Sequence, residues 1–192
     1  MTENTSPPQK QLHRPSGHAL GTAVLAAVLT LTLAGCSGTG RDYSVPRDLC
    51  GVTVDSDLLS PFLPDGKKLT QRSYNHGVVS PRCRVSVDKH LIVYISGDVV
   101  SPDVDPIQVQ ARGLLRLGNP SPVDVGDAAR IADRGATAVA DCMREGEPMR
   151  FVTTIELEQE IPEETSKRRS DLTQLLRAYF PKAMAAVNCN EA

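Results

Sequence analysis

AARIADRGATAVADCMREGEPMRFVTTIELE, residues 128–158, is the stretch whose reading decides the fold. In its last third Phe151, Thr153, Ile155 and Leu157 fall at every second position, the period of a strand with one buried face. Two turn signals divide the stretch. Arg134-Gly135 separates Ala128–Asp133 from Ala136–Met143, and Glu145-Gly146-Glu147 separates that segment from Met149–Glu158. Three successive strands joined by tight turns form a meander, which is antiparallel.

Upstream, Val125-Gly126-Asp127 reads as a turn in which Gly126 supplies an unusual φ, and Pro120 and Pro122 make a rigid loop. Asp105-Pro106 offers a cap and a first-turn proline to a helix with the stripe Ile107, Ala111, Leu114 and Leu115, closed by Gly118. Arg82–Asp88 alternates polar and apolar, Asp88-Lys89 turns, and Leu91–Ile95 returns as a second strand. Lys68–Tyr74 reads as an edge strand, and Val54–Leu63 as a short helix capped by Asp55 or Ser56. Downstream, Pro162, Glu163 and Glu164 open a final helix with the stripe Leu172, Leu175, Leu176, Tyr179, Ala183 and Val187, which Pro181 is expected to kink or split. Strands come in hairpins rather than singly between helices. The expectation is an α+β domain, an antiparallel sheet of five to six strands with helices packed on one face, with a doubly wound parallel sheet as the alternative.

The N-terminus is of another kind. Lys10 and Arg14 precede an uncharged apolar run, Ala19–Ala34, shorter than the ~20 residues that span a bilayer and suited to a signal peptide. It ends in Leu33-Ala34-Gly35-Cys36, which resembles the lipobox of bacterial lipoproteins, followed by Ser37-Gly38-Thr39-Gly40. The resemblance implies removal of residues 1–35 and lipid on Cys36. We expect residues 36–48 to be a flexible tether and residues 49–192 a single globular domain on the extracytoplasmic face of the cell membrane. A buried hairpin helix or an uncleaved anchor are the competing readings of the apolar run.

Export gives the cysteines a context. With Cys36 lipidated, Cys50, Cys83, Cys142 and Cys189 remain for two disulfides in an oxidising compartment. Four cysteines allow three connectivities. We expect Cys50 with Cys83, joining the first helix to the first clear strand, and Cys142 with Cys189, tying the last helix to the meander. No Cys-x-x-Cys pair occurs, and His76 and His90 lie far from any cysteine pair, so no metal and no cofactor is expected.

The formal net charge of −2 offers no electrostatic footprint for nucleic acid. Trp is absent and there are only 3 Phe and 4 Tyr, so stacking platforms for sugars or bases are scarce. The acids at Asp55/Asp57 and Asp103/Asp105 sit at helix starts, where capping explains them. Glu156/Glu158/Glu160 read as one solvated strand face. Asn75-His76-Gly77 is a loop that reads as turn chemistry, with a ligand contact as the alternative, and Lys167-Arg168-Arg169 reads as a solvated helix face, with contact to a wall polymer or anionic headgroup as the alternative. No nucleophile elbow, Ser-x-x-Lys or phosphate-cradling loop follows Cys36, so no catalytic residue is expected.

Cys50 before a Leu-rich helix, the segment Ser80-Pro81-Arg82-Cys83 and the turn Gly126-Asp127-Ala128-Ala129 together resemble uncharacterised actinobacterial secreted lipoproteins. That resemblance implies a PsbP-like α/β/α fold and brings no catalytic residues. Arg84 stands where a tryptophan is often found in such proteins. The functional expectation is a non-catalytic envelope module that binds a protein partner or a small hydrophobic ligand. The alternatives are a cell-wall hydrolase or carbohydrate-active enzyme using a carboxylate such as Asp98 or Asp127, and a purely structural wall protein.

Overall fold

Hairpin after hairpin, the alternating segments assemble into antiparallel sheet in the computed structural model, which describes residues 40–77 and 79–190. In chain order the elements are β1 (Asp48–Leu49), β2 (Val52–Thr53), α1 (Ser56–Leu59, continuing as a 3-10 turn Ser60–Phe62), β3 (Leu69–Asn75), β4 (Pro81–Val87) and β5 (His90–Val100). There follow α2 (Pro106–Arg116), β6 (Ser121–Val123), β7 (Ala128–Ile131), β8 (Gly135–Arg144), β9 (Glu147–Leu157) and α3 (Thr165–Ala186). The main sheet has seven strands in the order β3-β4-β5-β9-β8-β7-β6, and β1-β2 is a separate two-stranded hairpin. The domain is therefore α+β as expected, with more strands than the five to six read from sequence. One of them is β6, inside the proline loop. Pro122 is tolerated there because β6 is an edge strand, where a missing N–H need not break a ladder.

Register decides what each face carries. The pairs Val85↔Val93, Ile95↔Ile155, Ala136↔Ile155 and Ala140↔Phe151 align apolar side chains on one face. The alanines of β8 let α3 lie close to the sheet, and Leu172, Leu175 and Leu176 are 0% exposed against it. Thr137↔Thr154 and Val139↔Val152 occupy the opposite face, and the two threonine hydroxyls meet at 2.8 Å. That face is covered by α2. A Cβ on Gly135, which pairs with Glu156 on that side, would meet Leu117 at the end of α2. Helices thus pack on both faces, which corrects the expectation of one.

Local capping follows the sequence. Asp105 accepts from the Ile107 and Gln108 N–H groups, Pro106 is the first residue of α2, and Gly118 takes φ +99° beyond its end. The expected stripe of α2 is rotated, however. Leu114 is buried, but Leu115 is 65% and Val109 70% exposed. In α3 the cap is Glu164, whose carboxylate accepts from Lys167 N–H. Pro181 does not split this helix. It sits on the exposed side of a helix continuous from Thr165 to Ala186, so only one backbone donor is lost.

Both disulfides pair as expected, Cys50–Cys83 with Cα atoms 5.7 Å apart and Cys142–Cys189 with 5.4 Å. Residues 41–48 depart from the tether reading. Arg41 bridges to Gly66 and donates to Ser60 Oγ, the Tyr43 hydroxyl donates to the Pro64 carbonyl, and Val45 packs on the core. The polar and proline-bearing sequence hid this, because a single bridge at Gly66 and a few side chains, not a patterned element, hold residues 41–47. The signal segment, the cleavage site and Cys36 lie outside the described residues.

Candidate functional site

A glycine in the middle of a central strand lowers the floor of a cleft. Gly97 of β5 is buried, pairs with Thr153 of β9 and lies on the α3 face. A Cβ there would stand 3.1 Å from the Pro81 ring and 3.3 Å from the Phe151 ring. Glycine inside a strand weakens it and marks a close approach of something else to the backbone. Above this floor α3 presents Tyr179 and, one turn on, Ala183, followed by Ala186 and Val187 near its end. The small residues keep the helix from filling the space, and a cleft of about 590 Å³ remains. That volume lies in the range of small-molecule sites.

One disulfide, Cys50–Cys83, lines the cleft, and the other anchors chain that does. Cys50–Cys83 pins the β1-β2 hairpin to β4, so Gly51 and Val52 form one wall. Gln71 reinforces this by accepting from Cys50 N–H at 2.7 Å and donating to the Asp48 carbonyl at 3.0 Å. Cys142–Cys189 holds the chain beyond α3 against β8, which places Asn188 and Arg144 along the cleft. Lys182 closes the arrangement from the helix side by donating to the Thr53 carbonyl at 3.1 Å.

Polar groups along the cleft differ in how far they are engaged. Thr153 donates to the Ser96 carbonyl, and Arg82 donates to the Gly97 carbonyl at 2.7 Å while pairing with Asp98 at 3.1 Å. Arg144 donates weakly to the Val187 carbonyl at 3.3 Å and pairs with Glu145, whose side chain is 75% exposed. Tyr179 is 6% exposed as a residue, and its hydroxyl, without a hydrogen-bond partner among the described residues, opens into the cleft rather than lying fully buried. Burial pushes its pKa up to about 12, so it stays a neutral phenol able to donate. Among the described residues no aspartate or glutamate lines the cleft.

A second depression, of about 740 Å³, lies between the Gly126 turn and the Phe180–Met184 part of α3. Its groups serve the fold. Asp127 accepts from Asp141 N–H at 2.7 Å, and Arg177 donates to the Asp124 carbonyl. Gly126 has φ +60°, and a Cβ there would press within 2.6 Å of the Val139 carbonyl oxygen, so the turn reading of this residue holds.

Of the residues weighed in the sequence as possible sites or disulfide partners, Asn75, Cys50 and Cys83 line the cleft, while Tyr179, Ala183 and Val187 reach it from what was read as a purely structural stripe. His76 and His90 are exposed, at the end of β3 and the start of β5. Asp55 and Asp105 cap helices as expected. Asp98 accepts from Ser80 Oγ and Arg82, and it is three strands from the Asp127 turn, about 14 Å at the usual strand spacing. The two carboxylates named for hydrolysis therefore do not converge. The Glu156/Glu158/Glu160 face is corrected, since β9 ends at Leu157 and only Glu156 lies in the strand. Partial burial, reinforced by Glu158, raises the pKa of Glu156 against the pull of Arg116 and Arg134.

Lys167-Arg168-Arg169 is corrected more sharply. Arg168 is 1% exposed and donates to the carbonyls of Asp133, Pro162 and Glu163. Arg169 pairs with Asp133 at 2.8 Å and binds the Asn119 and Ile131 carbonyls. These arginines bolt α3 to the β7-β8 turn, and a basic run of three gives no sign of that. The cleft was missed for a related reason, since its defining features are a missing side chain at Gly97 and residues from distant segments. Gly97 inside a β-branched strand was the available signal.

Among the described residues no group of three or more His, Cys, Asp or Glu side chains is placed to hold a metal ion. No family model, no curated protein and no solved structure matches the chain.

Proposed function

We propose that this protein is an extracytoplasmic lipoprotein, anchored by lipid on Cys36, whose domain binds a small ligand in the cleft beneath α3 without transforming it. The observation that carries the binding reading is the cleft itself, floored by Gly97 and walled in part by apolar side chains, with Tyr179 on its lining. The chemistry nearby fits binding better than turnover, because the acids and arginines close to the cleft hold one another or the backbone. The anchoring reading rests on the N-terminal sequence, and no helix among the described residues is long and apolar enough to cross a membrane.

Native mass spectrometry of the protein extracted from its own membranes tests both parts. The N-terminal residue should be acylated Cys36, and a small molecule should accompany the chain and be lost from a Tyr179→Phe, Ala186→Phe double variant. An unprocessed chain in the cytosol would overturn the anchoring. Turnover of wall glycans that disappears in Asp127→Asn or Asp98→Asn would replace binding with hydrolysis.

A further inference from the structure

The charge and shape of the cleft narrow the class of ligand, given that the cleft is a binding site at all. We infer that it takes an amphipathic anion: an apolar body lying over the Gly97 floor, with a carboxylate or phosphate head at Arg144.

Three observations converge on this class. The first is sign. Acidic residues outnumber basic ones in this chain, 23 to 21, yet among the described residues the cleft is lined by two arginines and no carboxylate. Focused within a concave site, that imbalance favours a negative ligand. The second is availability. Arg82 is already matched by a part-buried Asp98 and by the Gly97 carbonyl, so it is held in place. Arg144 is different, because its acidic partner Glu145 is 75% exposed, and such exposed pairs contribute little. A guanidinium so weakly held can turn to a ligand's carboxylate or phosphate, with which it forms paired hydrogen bonds. Asn188 beside it adds an amide.

The third observation is the body of the cleft. Ile95, Phe151, Val52, Ala183 and Val187 supply apolar wall. Within it the neutral Tyr179 hydroxyl is a donor for an oxygen in the ligand, such as an ester carbonyl one segment away from the head. A fully polar anion would leave these walls wet, and a pure hydrocarbon would leave Tyr179 and Arg144 unanswered. An amphipathic anion satisfies all three features.

Equilibrium dialysis with the full chain carrying Cys36→Ser provides the test, using four probes. Palmitate and lysophosphatidate carry the two candidate heads, hexadecanol has an apolar chain without charge, and inorganic phosphate has charge without a chain. At least one of the two anionic lipids should bind, and the better of them identifies the head as carboxylate or phosphate. Hexadecanol should bind at least about tenfold more weakly, and phosphate should not bind measurably. Arg144→Gln should weaken the anion about tenfold and leave hexadecanol unchanged. Ala186→Phe, at an exposed position on α3, should block every probe while the circular dichroism stays that of the parent. Equal binding of hexadecanol and palmitate, undisturbed by Arg144→Gln, would overturn the anionic class and leave the cleft as a site. Failure of all probes, or binding indifferent to Ala186→Phe, would overturn the cleft itself.

Discussion

The two flanks of the sheet are built on different terms. On the flank of β7, β8 and β9 the sheet is clamped between α2 and the first half of α3, with alanines below and two arginines tying the helix to the β7-β8 turn. On the flank of β3, β4 and β5 the second half of α3 stands over Gly97 and a cleft, and a disulfide holds the hairpin that walls it. One flank uses packing and buried hydrogen bonds. The other has a packed core as well, through Val85, Val93 and Ile95, but opens it locally over Gly97, where Cys50–Cys83 holds the wall. That division is how a domain of this size keeps a cavity without losing its fold.

The comparison breaks most directly at Arg168. Replacing it with methionine leaves the Asp133, Pro162 and Glu163 carbonyls without their donor, and the expected loss is about 3–5 kcal/mol. Urea unfolding followed by circular dichroism would measure it. A loss under 1 kcal/mol would show that the clamp is not where the stability lies, roughly the value of an exposed pair.

Removing Cys50–Cys83 with a double alanine substitution should cost about 2–4 kcal/mol. The distinguishing readout is hydrogen exchange. Amides of β1, β2 and β3 should lose protection well before those of β8 and β9, whereas uniform loss would erase the distinction between flanks.

Glu156 lies where the flanks meet, paired in register with Tyr94 on one side and Gly135 on the other. Its raised pKa means that the folded protein favours the protonated carboxyl. Its contribution to stability is therefore complete below the ordinary glutamate range and is lost as pH rises through the raised value. Glu156→Gln should be more stable than the parent at pH 7 and equal to it near pH 3. A variant less stable at pH 7 would mean that Arg116 and Arg134 outweigh the burial.

The smallest effect is expected at Tyr179→Phe. With no protein partner to lose, stability should change by no more than about 0.5 kcal/mol in the absence of ligand. Destabilisation beyond about 1 kcal/mol would reveal a bond that the hydroxyl makes within the fold.

Legibility in the sequence follows the same division. The meander and α2 were readable because turns, caps and period-two alternation are local: Asp105-Pro106, Gly118 and the Phe151–Leu157 alternation each act within a few residues. The disulfide pairing was readable from the elements that the cysteines join. What escaped depends on distant partners. Arg168 is buried because three carbonyls from two loops converge on it, and the Leu115 face is exposed because α2 docks through Leu114 and Leu117 instead. The cleft joins residues from Cys50 to Asn188, and its central fact at Gly97 is a side chain that is not there.

The ends of the sheet carry a further consequence. An edge strand is a template on which another copy can pair. Here one edge is the three-residue β6, in which Pro122 has no hydrogen to offer a newcomer. At the other edge the Gln71 amide of β3 is bonded to the β1-β2 hairpin, and Arg72 is an exposed charge beside it. Growth of the sheet into a fibril is thus blunted at one border by chemistry and at the other by cover and repulsion.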